Sequence, residues 1–200
     1  MNSRLDSNNI SKLLGSLLTC TKLKFLNLGY NKLEGTSIIY LSEIIKNLIG
    51  LETLALSYCK IGSKQISLII KSLENHNNLK KLYLNANYLH DSFCVRLCNN
   101  TEQFLLLESL DVSKNQITSK GAEFLGKFLF EKKYFKQLWI SDTEIELEGL
   151  KHIMYPLKYK NILDVLDLKN IIHEDISNAA STLEVMLEKL LIFNLNIERN

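Results

Sequence analysis

The sequence predicts an α/β solenoid, and three observations carry that prediction: an internal period of about 28 residues, a strand pattern opening each period and a helical pattern closing it. Segments beginning at Leu23, Leu51, Leu79, Leu107, Phe135 and Leu163 follow one another at that interval. A single unit of this size cannot bury both sides of its apolar layer, so stability has to come from the stacking of neighbours.

Taken in chain order, Ile10, Leu13, Leu14, Leu17 and Leu18 come first and predict the helix of an incomplete repeat. Each later unit places two apolar residues three and five positions after its first: Leu26 and Leu28, Leu54 and Leu56, Leu82 and Leu84, Leu110 and Val112, Leu138 and Ile140, Leu166 and Leu168. Apolar residues separated by one make a period of two, which is a short strand with one buried face. Eight positions into the units stand Asn31, Cys59, Asn87, Asn115 and Thr143, followed two residues later by Leu33, Ile61, Leu89, Ile117 and Ile145. Backbone groups lose their strand partners where the chain turns inward, and a small polar side chain there can satisfy them. The second half of each unit changes to helical spacing, with Ile38, Leu41 and Ile45 sharing a face, then Ile66, Ile69 and Leu73, then Ala122, Leu125 and Leu129, then Leu150, Ile153 and Leu157.

The runs from Leu23 to Leu33 and from Leu107 to Ile117 resemble the leucine-rich-repeat signature. The period, the Asn/Cys/Thr column and the helical second half are similar to the ribonuclease-inhibitor subfamily. That resemblance covers about residues 10 to 200 and implies a right-handed horseshoe, with a parallel inner sheet and outer helices. It implies little about activity, since function resides in sites carried by the scaffold. On this reading residues 1–200 form one leucine-rich-repeat domain: 1–22 an incomplete repeat, 23–162 five full repeats, 163–189 a shortened sixth and 190–200 a truncated terminal unit. The sixth is read as one residue short because Asn170 and Ile172 fit its signature better than the in-register positions. The glycine expected four residues after the last signature position is present as Gly121 and Gly149 and replaced by Ser37, Gln65 and Phe93 elsewhere. The ends carry no evident dedicated cap, so self-association through them is open.

Composition narrows the function classes. The formal net charge is +2 with both signs interleaved, which gives no electrostatic reason to expect nucleic acid or an anionic membrane as partner. The first twenty residues lack the apolar core of an export signal, and no apolar run approaches the roughly 20 residues of a membrane span. Cys20, Cys59, Cys94 and Cys98 are read as reduced thiols, and the expected compartment is the cytoplasm. Richness in Asn, Ile and Lys also resembles products of AT-rich genomes, including intracellular microbes whose effectors reach a host cytosol.

Residues between the strand leucines point away from the core, and read down the repeats they form candidate surface columns. The first holds Asn27, Ala55, Tyr83, Asp111, Trp139 and Asp167, the second runs from Gly29 to Lys169, and the third holds Tyr30, Tyr58, Ala86, Lys114, Asp142 and Asn170. Exposed aromatics are favoured at partner contacts, so Tyr30, Tyr58, Tyr83 and Trp139 are candidate partner-binding residues; the alternative is that they cover one another laterally across the strands. Asp111, Asp142 and Asp167, with Asp164, give the C-terminal half an acidic bias that suits a Lys- or Arg-rich partner, or equally a solubilising surface.

Catalytic and metal signals are weak. Cys94 and Cys98 lie four apart on a helix without the further ligands a metal needs, so neither metal nor cofactor is expected. His76, His90, His152 and His173 are scattered over loops and outer helices and are expected at the surface. The stretch Glu131 to Lys136 reads as a solvated loop. The sequence therefore predicts a non-catalytic scaffold that binds a protein partner of unknown identity on its inner sheet, with no nucleic acid and no membrane involved. The alternatives are a regulator of a small GTPase, resembling the Ran GTPase-activating proteins that share the repeat type, and a subunit that stacks on itself.

Overall fold

The computed structural model describes residues 7–159 and 163–171. Helix α1 (Ser7–Leu17) precedes a regular alternation of three-residue strands and helices: β1 (Phe25–Asn27), α2 (Thr36–Asn47), β2 (Thr53–Ala55), α3 (Ser63–Ser72), β3 (Lys81–Tyr83), α4 (Asp91–Asn99), β4 (Ser109–Asp111), α5 (Ser119–Glu131), β5 (Gln137–Trp139), α6 (Leu147–Tyr159) and β6 (Val165–Asp167). A 3-10 turn, Thr101–Phe104, follows α4. The strands form one parallel sheet in sequence order, and each residue pairs with its counterpart in the next repeat, as Leu26 does with Leu54 and Leu54 with Leu82. Consecutive parallel strands joined by helices make the α/β solenoid that the sequence predicts.

The core lies between the sheet and the helix layer. Leu54, Leu82, Leu110, Leu138 and Leu166 are fully buried, as are Leu41, Ile69, Leu97 and Leu150 from the helices opposite. Of the α1 residues, Leu14 is buried while Leu13 remains exposed, as does Leu18 just beyond the helix. Gly126 and Gly149 are required by close approach, because a Cβ on Gly126 would overlap the His152 carbonyl and one on Gly149 would stand 2.6 Å from the Ser119 Cα. At the position of Gly121 and Gly149, Ser37 and Phe93 are instead fully buried, so those earlier helices leave room for a side chain.

The Asn/Cys/Thr column is the polar spine of the stack. Asn87 donates through Nδ2 to the carbonyls of Leu56 and Leu84, both at 2.8 Å, and its Oδ1 accepts from the amides of Cys59 at 3.0 Å and Ile61 at 2.9 Å. Asn115 repeats the pattern with Leu84, Val112 and the Leu89 amide. Cys59 acts as a thiol donor to the Leu28 carbonyl at 3.1 Å, and Thr143 donates to the Ile140 carbonyl at 2.7 Å. Asn170, expected to fill this column one residue early, stands instead in the preceding column in register with Asp142, and buried Ile171 takes the spine position. Ile172, the remainder of the sixth unit and the terminal unit lie outside the described residues.

Two expectations about charged residues are overturned at a single repeat position. Leu48, His76, Phe104 and Lys132 are equivalent and all are buried, because this turn packs inward between helix and strand. His76 is therefore not a surface histidine. Neither ring nitrogen has a hydrogen-bond partner; the carbonyls of Ile45, Leu48 and Leu73 face the ring only loosely, and burial lowers its pKa. Lys132 does not belong to a solvated loop either. Its ammonium donates to the carbonyls of Thr101 at 2.6 Å and Phe104 at 2.8 Å and lies 4.4 Å from the centre of the Phe128 ring, while burial pushes its pKa down to about 8. Among the described residues no helix is long and apolar enough to cross a membrane.

Candidate functional site

The face of the sheet turned away from the helices is built by strand alternation. In β3, β4 and β5 the central leucines are buried, and the last residue of each strand, Tyr83, Asp111 and Trp139, is half-buried on the open side. Tyr83 and Trp139 stand two strands apart, yet their ring centroids are 6.3 Å from each other at an interplanar angle of 56°. The two rings lean together over Asp111, whose strand lies between theirs. Burial raises the Asp111 pKa first of all, and Asp167 adds to the rise, while the Ser113 amide at 3.0 Å and Lys114 oppose it. Tyr83 is raised in turn by burial and by Asp111. A carboxylate partly stripped of water beneath two π faces favours a cation, and an aromatic pair beside it favours a planar or aliphatic stem.

The second aromatic pair lies elsewhere. Tyr30 and Tyr58 stack at 4.5 Å with rings 8° from parallel, on the loops that leave the strands. The sequence expectation that these aromatics stay out of the core holds, and so does the lateral covering weighed against partner binding, since both pairs touch a neighbour. Their repeat position is unusual in its backbone. Tyr30, Tyr58, Ala86, Lys114, Asp142 and Asn170 all adopt positive φ, between 53° and 63°. Asn and Asp tolerate this left-handed conformation, whereas tyrosine is rarely found in it.

The aspartates divide by role. Asp111 and Asp167 each accept from the amide two residues on, at 3.0 and 3.1 Å, and Asn27 does the same for Gly29, so this position tightens the strand-to-loop turn in three repeats. Asp142 accepts from the Asn170 side chain at 2.8 Å. Asp164 is exposed and lies one residue before β6.

Two columns on this face escaped sequence reasoning. The first strand position carries Phe25, Thr53, Lys81, Ser109, Gln137 and Val165, with Phe25 well exposed. One residue earlier runs Lys24, Glu52, Lys80, Glu108, Lys136 and Asp164, an alternation of sign visible at a single repeat position. Lys24 and Lys80 both pair with Glu52, at 2.8 and 3.0 Å, and Lys136 pairs with Glu108 at 3.0 Å. Hydrogen bonds from Lys24 and then Lys80 hold the Glu52 pKa at about 2. The signal was there in the order of the repeats, but only the parallel register shows that these side chains meet.

Other candidate chemistry resolves into packing. Cys94 is fully buried, and Cys98, one turn later, is partly covered. Among the described residues no three His, Cys, Asp or Glu side chains stand together as metal ligands do.

The profile described as Leucine Rich repeat matches residues 19–42 and 106–126. The chain is 27% identical to human NACHT, LRR and PYD domains-containing protein 13 over 144 residues, which are 72% of this chain and 14% of that protein. It is 30% identical to RAN GTPase-activating protein 2 of Arabidopsis thaliana over 127 residues, 62% of this chain and 23% of that one. The chain thus spans less than a quarter of either relative. Among solved structures it is similar to the leiomodin-1 actin-binding site 2, with a TM-score of 0.59, 17% identity, and coverage of 75% of this chain and 87% of that one.

Proposed function

Because the chain is a leucine-rich-repeat protein, we propose that it is a non-catalytic scaffold that holds a partner protein against the open face of its sheet. The observation that carries this reading is the convergence of Tyr83, Asp111 and Trp139 from three adjacent strands. Two half-exposed rings over a half-buried carboxylate form an anchor point for a lysine or arginine of the partner, with Asp142 and Asp167 extending the acidic surface towards the C-terminal repeats. The six described strands, at about 4.8 Å spacing, give a face roughly 24 Å across, comparable to a standard patch of about 800 Å² per partner. Tyr30 and Tyr58 extend the aromatic surface towards the N-terminal repeats.

The reading places the protein in the cytoplasm. Its support is chemical: Cys59 serves as a hydrogen-bond donor in the spine and Cys94 fills the core, roles that belong to reduced thiols.

The similarity to RAN GTPase-activating protein 2 favours a second reading, in which the bound partner is a small GTPase whose hydrolysis rate rises. Arginine is represented only by Arg4, Arg96 and Arg199, and Arg96 is exposed on α4 in the helix layer, so this chain offers no arginine finger from its described sheet face. An assay of GTP hydrolysis with added chain separates the readings, and acceleration establishes the second.

The test of the scaffold reading is a capture experiment from lysate with wild type beside Tyr83→Ala/Trp139→Ala and Asp111→Asn, each checked for unchanged melting. Loss of one partner from both variants is expected. Equal retention by all three proteins moves the interface off the sheet.

A further inference from the structure

Where the strands give way to loops, the sheet is bordered by a groove of about 600 Å³ lined by Tyr30, Tyr58, Tyr88, Lys32, Lys60 and Lys114. We propose that this groove is a second docking site, one that takes a short acidic segment of a partner protein in extended form. The proposal rests on the reading of the chain as a protein-binding scaffold and adds the chemistry of a second contact, opposite in sign to the acidic centre at Asp111.

Charge is the first argument. Lys60 and Lys114 are exposed and have no ion pair among the described residues, and Lys32 shares its charge with half-buried Glu34 at 2.7 Å. Along the same border the sign then reverses at Asp142, Glu144 and Glu146. The groove is therefore a local basic patch on a chain whose net charge is only +2.

Backbone geometry is the second. Bulky tyrosines occupy the left-handed position in the first two repeats, where Asp142 and Asn170 show that a better-suited residue is available. Lys60 is also at positive φ, 58°, which its equivalents Lys32, Tyr88, Gln116 and Glu144 are not. Strain of this kind persists when the surroundings enforce it, and it gathers at sites of binding. Here the surroundings are firm: the loops are tied to each other by parallel backbone bonds, Tyr30 N to Ser57 O at 2.8 Å, Tyr58 N to Asn85 O at 3.0 Å and Tyr88 N to Ile61 O at 2.8 Å. The groove is thus held in shape before any partner arrives.

Shape selects the occupant. Three repeat intervals separate Tyr30 from Lys114, about 14 Å at strand spacing, which matches four or five extended residues. The Tyr30 and Tyr58 rings are already stacked on each other at 4.5 Å, leaving no gap for a base between them, and the acidic end of the border repels a continuous phosphate backbone. Carboxylates on a short peptide meet the lysines, and its apolar side chains lie on the outer tyrosine faces.

The experiment measures fluorescence anisotropy of the full chain with three labelled probes: a short peptide alternating Glu and Leu, the same peptide with Lys for Glu, and an oligothymidylate of equal length. The Glu peptide is expected to bind at least about tenfold more tightly than either other probe, to lose about tenfold in Lys60→Glu/Lys114→Glu, and to weaken as salt rises from about 50 to about 300 mM. Lys60→Gln/Lys114→Gln gives the same direction if the reversal variant melts early. Tyr83→Ala/Trp139→Ala is expected to bind the Glu peptide as wild type does, so failure of the sheet-face reading and failure of this one are separable. No binding, equal binding of the Lys peptide, tighter binding of the oligothymidylate, or indifference to both lysine variants each overturns the proposal.

Discussion

At one end of the left-handed column stand Tyr30 and Tyr58, and at the other Asp142 and Asn170. The backbone is the same at both ends, with every φ between 53° and 63°, so the fold makes one demand on all six positions. Asp142 and Asn170 meet it with residues suited to the conformation, and their side chains bond to each other. The tyrosines meet it with residues ill suited to it, and their rings stay exposed after stacking, with 49% of Tyr30 and 39% of Tyr58 open to solvent. A repeat position that varies against its own backbone preference marks a surface shaped for something other than stability. In the spine one residue later the bonding is kept although the residue type changes, since Asn87 and Asn115 make nearly the same bonds in successive turns and Cys59 and Thr143 each still donate to a backbone carbonyl.

The strongest break of this comparison is therefore made in the spine. Asn87→Ala strands the buried amides of Cys59 and Ile61 and removes the side-chain donor to the Leu56 carbonyl, while the Leu84 carbonyl keeps its bond from Asn115. At about 1–3 kcal/mol for each buried group left unsatisfied, the loss is expected to exceed about 3 kcal/mol, measured by chemical denaturation. A loss below about 1 kcal/mol, less than one unsatisfied group costs, means that water enters the turn and that the spine does not hold the stack together.

Most of this architecture was legible before the structure. The period, the strand leucines, the described helix faces and the first five spine positions follow from the repeat spacing, because burial acts on every repeat alike; the sixth spine position, filled by Ile171, was misread by one residue. The candidate residues Tyr83 and Trp139 were legible as outward, since strand alternation fixes the face of each side chain. Their meeting over Asp111 was not, because two whole repeats of chain separate them and the contact depends on how far two rings lean across an intervening strand. Positive φ in the tyrosine column was illegible for the opposite reason: propensity argues against it, and the neighbouring loops override propensity. The inward turn that buries His76 and Lys132 was hidden likewise, as a polar residue at a position filled elsewhere by Leu48 and Phe104 reads as a surface loop.

That turn gives the next effect in size. His76→Leu places there the residue of its equivalent Leu48 and removes two buried, unpartnered nitrogens, so a gain of about 1–2 kcal/mol is expected at neutral pH. The pH dependence sharpens the point. The folded pKa of His76 lies below its ordinary value of 6.5, so under acid conditions the unfolded chain binds a proton that the folded chain refuses. Stability is full above 6.5 and declines as pH falls from there towards the folded pKa. Denaturation midpoints between about pH 7.5 and about pH 5 are expected to fall more steeply for wild type than for His76→Leu. Parallel curves would mean that the ring finds a partner on protonation.

The smallest effects test the left-handed column itself. Glycine adopts positive φ without strain, whereas an L-residue there gives up about 1–2 kcal/mol, partly offset by the larger entropy glycine loses on folding. Ala86 has no ring contact to lose, so Ala86→Gly is expected to raise stability by about 0.5–1 kcal/mol. Tyr58→Gly gains the same backbone relief and loses a stacked pair that contributes about 0.5–1.5 kcal/mol, so its net change is expected between a loss of about 1 kcal/mol and a gain of about 0.5 kcal/mol. The difference between the two variants, read from melting curves, measures what the stack contributes to the fold. If Tyr58→Gly costs more than such a pair can account for, the tyrosines are there for lateral support, and the contrast with Asp142 and Asn170 is one of packing. If the two variants behave alike, the rings add almost nothing to stability, and their presence on a strained backbone is explained by what the groove holds.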